Sequence, residues 1–183
     1  RAPDVYTDAS KEARYAGGGY FSMCGRYRHW QYGAGASRNL IDALEGDAVL
    51  VAAADLCESW RGRVVPLHID NRSFQLSGRK GWSKAERLTA QLRVLFEIAV
   101  KYDCVFEFEW ISTHENVYAD ALSRPQGEER FRDLVGRHMP WMVSKLERHA
   151  SSGGVRQFGP EYPSDVTGDG PATRTAKVSQ ATV

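Results

Sequence analysis

A chain of 183 residues has room for one domain of about 100–200 residues and a tail, which excludes a large multidomain enzyme. With 42% hydrophobic and 26% charged residues it can bury a core, so neither a collagen-like nor a wholly disordered protein fits. Lysine and arginine number 24 against 23 aspartates and glutamates, so net charge alone gives no reason to propose a nucleic-acid or membrane partner, and any such case must rest on local clusters.

The longest apolar run, Ala48 to Ala54, is far short of the ~20 residues of a membrane helix, and the N-terminus lacks the basic-then-apolar layout of a signal peptide. A soluble intracellular protein, cytoplasmic or nuclear and without a membrane partner, is expected. Cys24, Cys57 and Cys104 are odd in number and widely spaced, which suits reduced thiols used for packing and gives no Cys-x-x-Cys zinc pattern. The chain opens on Arg1 rather than Met, which points to a piece of something longer.

Short aromatic-containing stretches at Asp4–Ala9, Gly19–Met23 and Tyr27–Tyr32, separated by glycines and polar residues, predict an antiparallel meander of three strands. Gly17 to Gly19 reads as a bend between two of them. From Leu40 to Trp60, apolar residues recur at three- and four-residue steps, predicting a helix capped by Ser37 or Asn39 and closed by Gly62. Its core face holds Ile41, Leu44 and Ala48, with Asp42 and Asp47 turned to solvent. Val64–Ile69 is a buried strand, with Pro66 placed where it donates no ladder hydrogen bond. A second helix runs from about Lys84 to Lys101 with Leu88, Leu92, Leu95, Phe96 and Ala99 on one face, Val105–Ile111 alternates as a strand, and Val117–Ser123 is a short helix stopped before Pro125. Glu128–Ala150 reads as a last helix, kinked or broken at Pro140. Residues 151–183 hold 16 Gly, Pro, Ser or Thr and no Leu or Ile, the composition of a disordered tail or linker. The order implies an α/β fold, a mixed five-stranded sheet flanked by helices.

Four carboxylates fall where that architecture can bring them together: Asp8 inside the first strand, Glu45 near the start of the long helix, Asp70 at the end of the fourth strand, and Asp120 in the short helix. Burying a carboxylate alone costs several kcal/mol, about 2–7 even for an uncharged polar group, and two on neighbouring strand ends repel until a cation removes the repulsion. Oxygen-only donors select Mg²⁺, with Mn²⁺ able to substitute. Two such ions about 3.5–4 Å apart suit hydrolysis of a phosphodiester.

Tyr6-Thr7-Asp8-Ala9-Ser10, Glu45 followed by Ala48 and Val51, Ile69-Asp70-Asn71, and Asn116-Val117-Tyr118-Ala119-Asp120-Ala121-Leu122-Ser123-Arg124 together resemble the ribonuclease H domain of retroelement reverse transcriptases, of the LTR or DIRS-like kind. The resemblance covers residues 4 to 124, so 1–124 is taken as a ribonuclease H-like domain, 125–150 as a C-terminal helical extension and 151–183 as the tail. It implies a ribonuclease H-like five-stranded mixed sheet, two Mg²⁺ ions on Asp8, Glu45, Asp70 and Asp120, and cleavage of the RNA strand of an RNA–DNA hybrid. It implies a polymerase module of the same polyprotein as partner, and no small-molecule cofactor. Many members carry a histidine where Trp110 stands. His114, four residues on, is the candidate substitute, while a branch whose motif reads Trp-Ile before the loop would account for Trp110 without loss of activity.

Between Arg72 and Arg93 six basic residues face one acid, Glu86, around Trp82, a surface suited to tracking a phosphate backbone. Arg72, Arg79, Lys80, Trp82 and Lys84 are the candidate contacts. Asn71 is placed to touch a sugar or phosphate or, alternatively, to cap the next helix. Arg26, Arg28, His29 and Trp30 add backbone contacts or form an ordinary exposed strand, and Asn116 shapes its loop by bonding backbone. Two other readings share the fold: a degenerate domain that connects polymerase modules, and a nuclease that cuts DNA.

Overall fold

A computed structural model describes residues 1–33 and 41–149; the predicted caps Ser37 and Asn39 and the tail 151–183 lie outside the described residues. Strands β1 (Val5–Lys11), β2 (Ala16–Ser22) and β3 (Arg26–Gln31) form the antiparallel meander. Helix α1 (Ile41–Leu56) runs into a 3₁₀ turn at Cys57–Trp60, and β4 (Val64–Ile69) returns parallel to β1. Helices α2 (Arg72–Lys80) and α3 (Glu86–Tyr102) lead to β5 (Val105–Trp110), parallel to β4. Then come α4 (Val117–Ser123), α5 (Gly127–His138), a 3₁₀ turn at Pro140–Lys145 and the two-residue strand β6 (Glu147–Arg148).

The sheet has six strands, in the order β5-β4-β1-β2-β3-β6, one more than expected. The extra strand comes from the segment read as one helix to Ala150. Pro140 lacks the N–H that would continue α5, so that helix ends at His138 and the chain turns to lie parallel to β3, where Glu147 N–H donates to Gly25 O and His149 N–H to Tyr27 O.

One face of the sheet buries Val5, Tyr20, Val65, Leu67 and Ile69 against α1 and α3; the other buries Phe21 and Tyr27 against Leu122, Phe131, Val135 and Met142. Tyr20 and Phe21, adjacent in β2, go to opposite faces, as strand alternation demands. Because α1 is covered by the sheet and by α3, it is buried nearly all round, which changes two expectations. Asp47 is not solvent-facing: α3 lies over it, and Gln91 Nε2 donates to its Oδ1 at 2.7 Å. Ile41 is exposed rather than in the core, because it sits on the rim of a cleft. Cys57 and Cys104 are packing residues as expected, whereas Cys24 is exposed.

Gly17, Gly18 and Gly19 lie inside β2 rather than at a bend. A Cβ on Gly19 would come within 2.4 Å of Leu122 Cβ, one on Gly17 within 2.3 Å of Ser123 O, and one on Gly18 within 2.4 Å of the Trp30 ring. Gly17 and Gly19 let α4 lie directly on β1 and β2, and Gly18, pointing to the other face, makes room for Trp30. Gly19→Ala is expected to push α4 outward and destabilise the protein by about 1–3 kcal/mol, read as a lowered urea midpoint.

α2 is a helix the apolar periodicity does not show, since only Phe74 and Leu76 among its nine residues are large and apolar. Its ends make it: Asn71 Oδ1 accepts from Phe74 N–H, and Gly81, at φ 79°, closes the other end.

Candidate active site

Parallel pairing of β1 with β4 aligns Thr7 with Ile69, so the next residues stand side by side, Asp8 still within β1 and Asp70 just past the end of β4. Helix α1 crosses β1 with Glu45 on its underside, and Asp8, Glu45 and Asp70 each offer an oxygen within 4.8 Å of the others. Asp8 is 4% exposed and Glu45 6%. Burial, above all, pushes the Asp8 carboxyl up to about 8; the charges of Asp70 and Asp120 add to this and a hydrogen bond from Ser123 opposes it. Glu45 is raised well above the usual carboxylate range by burial and then by Asp8 and Asp70, and Asp70 is raised chiefly by burial. Glu45 Oε2 and Asp70 Oδ1 are buried without a hydrogen-bond partner. Crowded carboxylates with orphaned oxygens and no nitrogen or sulfur donor among them fit a hard divalent cation.

Asp120 reaches the same cleft, about 520 Å³ and lined also by Asp8, Glu45, Asp70 and Thr113. Its helix is pinned to β1 from both ends. Asn116, fully buried, donates from Nδ2 to Thr7 O at 2.9 Å, so its predicted backbone-bonding role is what the structure shows. At the other end Ser123 Oγ donates to Asp8 Oδ2 at 2.5 Å, and its carbonyl accepts from Ser10 Oγ. The Asp120 carboxylate is gripped by Arg124: Nε lies 2.9 and 3.0 Å from its two oxygens and Nη2 2.6 Å from Oδ1. Three acids thus converge, and the fourth stands at the rim in an ion pair.

The remaining candidates are dispersed. His114 is exposed in the loop, and it is Thr113 that lines the cleft and donates to Asp70 Oδ2 at 3.2 Å. Trp110 Nε1 donates to Asp70 O at 3.1 Å, with the Arg72 guanidinium 5.2 Å from its ring centroid, so this tryptophan steadies the backbone that carries Asp70. Asn71, besides capping α2, donates to Asp42 Oδ1. Arg72, Arg79, Lys80, Trp82 and Lys84 are exposed on α2 and the turn after it, outside the acidic cleft, and Trp82 is 55% exposed. The strand residues offered as possible backbone contacts are engaged elsewhere: Arg28 on Asp55, His29 on Glu128, Arg26 on Glu147, with Trp30 buried.

Ser123 and Arg124, which are not among the expected site residues, bond Asp8 and Asp120 and belong to the site. The signal was in the sequence, since positions three and four after Asp120 lie on its face of the helix.

No family model and no curated protein matches the sequence. Solved structures do match. The RNase H1 of the halophilic archaeon Halobacterium salinarum is similar over 67% of this chain and 94% of its own, at 17% identity and a TM-score of 0.56. The N-terminal RNase H domain of a Mycobacterium tuberculosis protein covers 71% and 96%, at 14% and 0.55. LC11-RNase H1, isolated from compost, covers 66% and 91%, at 19% and 0.53, and the same enzyme in complex with an RNA/DNA hybrid matches with a TM-score of 0.51. The mixed sheet with flanking helices is the ribonuclease H fold. No helix among the described residues is long and apolar enough to cross a membrane.

Proposed function

We propose that this chain is a ribonuclease H that hydrolyses the RNA strand of RNA–DNA hybrids, acting beside the polymerase module of a retroelement reverse transcriptase. The observation that carries the reading is the convergence of Asp8, Glu45 and Asp70 within 4.8 Å, in a cleft that Asp120 also lines. A neighbour of the same fold was solved with an RNA/DNA hybrid, which supports that substrate class. In this reading residues 1–124 are the nuclease domain, 125–150 its extension and 151–183 a linker.

Asp8, Glu45, Asp70 and Asp120 would hold two Mg²⁺ or Mn²⁺ ions. Such ions supply a more acidic bound water and neutralise charge at the departing oxygen. The chain's own residues set the geometry. Ser123 fixes the Asp8 carboxylate through Oδ2; Trp110 and Thr113 hold Asp70 by its carbonyl and its carboxylate. Arg72, Arg79, Lys80, Trp82 and Lys84 present a basic and aromatic surface to the phosphate backbone, and hybrid preference comes from duplex shape and 2′-hydroxyls.

The test is cleavage of a labelled RNA–DNA hybrid in Mg²⁺, with a DNA duplex alongside, by the wild type and Asp70→Asn. Hybrid cutting by the wild type, reduced at least about a hundredfold by the substitution, is the expected result. No cutting by the wild type leaves a connector domain of this fold, and equal cutting of both duplexes rejects hybrid selectivity.

A further inference from the structure

Resting on that reading of the cleft, we propose that Arg124 is a clasp that keeps Asp120 out of the metal site until a substrate phosphate takes the carboxylate's place on its guanidinium. Asp120 lines the cleft yet stands outside the trio that converges within 4.8 Å, and Arg124 occupies both of its oxygens through Nε and Nη2. The helix cannot shift to change this. Asn116 holds its start to the Thr7 carbonyl and Ser123 holds its end to Asp8, both bonds buried, while the glycines of β2 let Leu122 and Ser123 sit hard against the sheet. What can change is the side-chain torsions of Asp120 and Arg124, which are 24% and 37% exposed.

A phosphate is the natural competitor for the clasp. Guanidinium binds carboxylate and phosphate through the same two-pronged geometry, so exchanging one for the other replaces one charge-assisted pair by another with little net penalty. Arg124 lines the cleft itself, so a phosphate lying over Asp8, Glu45 and Asp70 comes within its reach. Asp120, released, then adds the fourth carboxylate to the site. Arg124 is in this sense a positioning residue: it couples arrival of the nucleic acid to completion of the metal site, and no charge is left unpaired at any stage.

The experiment measures Mn²⁺ binding to the metal-free protein by electron paramagnetic resonance for the wild type, Arg124→Gln, Arg124→Lys and Arg124→Gln combined with Asp120→Asn, with hybrid binding in EDTA by fluorescence anisotropy. Both Arg124 variants are expected to bind Mn²⁺ about three- to tenfold more tightly, because lysine keeps the charge but loses the fork. Hybrid binding in EDTA falls severalfold in Arg124→Gln. The gain is abolished when Arg124→Gln is combined with Asp120→Asn, because the tightening depends on the released Asp120 carboxylate. Tightening by Gln but not Lys would reduce the effect to bulk charge and overturn the clasp, as would looser or equal binding in both variants or a gain that survives in the double variant. Arg124→Lys decides even if Arg124→Gln fails to fold, since unchanged or looser Mn²⁺ binding in it overturns the clasp. A wild type that binds no Mn²⁺ at all sinks the metal reading itself, a separate outcome.

Discussion

Glu45→Gln is expected to raise the melting temperature of the metal-free protein at pH 8 by about 5 °C while reducing Mg²⁺-dependent hybrid cleavage on the order of a thousandfold. The two effects have one cause. Glu45 is buried beside Asp8 and Asp70, and one of its oxygens has no partner. If it ionises, it does so against two neighbouring carboxylates in a medium that solvates charge poorly; if it keeps its proton, it holds it far above the pH at which the unfolded chain releases it. Either way the folded state carries a penalty that the unfolded chain escapes, and a neutral amide of the same shape removes it. The amide can still accept the Ala9 backbone N–H that the carboxylate now accepts. What glutamine cannot do is supply a negative oxygen to a cation, so Mn²⁺ should raise the melting temperature of the wild type and leave the variant's unchanged. A variant that is both less stable and inactive would show that Glu45 serves the core rather than the site.

Stability traded for a charged cleft is legible in the sequence only in part. The four acids and their order are legible because each lies in or beside a short recognisable block, Asp8 within β1, Glu45 in α1, Asp70 just after β4 and Asp120 in a helix bounded by Asn116 and Pro125. Chain-distant causes are not. Gly17 to Gly19 look like a turn because glycine's local signal is a turn, whereas Gly17 and Gly19 make room for a helix a hundred residues later and Gly18 for the Trp30 ring. β6 has two residues and no alternation to detect; it exists because β3 presents an edge and α5 delivers the chain to it. α2 is set by its caps rather than its apolar face. The helical phase of Asp47 points to solvent only if a single layer covers α1, and α3 provides a second. At the site, the expected ligand role of Asp120 does not by itself bring in Arg124, although their i, i+4 spacing is that of a helical ion pair.

In EDTA, the wild-type melting temperature is expected to fall as pH rises from about 4 to about 8, by about 10 °C, and to level off above that. The sign follows from which state holds protons. Unfolded carboxyls release theirs near pH 4, while folded Asp8 keeps its proton to about 8, and Glu45, Asp70 and Asp47 are displaced in the same direction. Through that window the native state binds more protons than the unfolded chain, so each step upward in pH favours unfolding. Glu128 runs the other way. Hydrogen bonds from Tyr27 and Arg132 lower it despite partial burial, so its contribution is present above pH 4 and lost below, which places the metal-free optimum near pH 4–5. Saturating Mn²⁺ should erase the decline, since a bound cation takes the place of the protons, and the gap between the Mn²⁺ and EDTA curves should widen steadily from pH 5 to pH 8. Thermal scans in both buffers across that range check this directly: a metal-free curve that is flat or rising over the interval would mean that the three acids are not crowded in solution as they are in the structure.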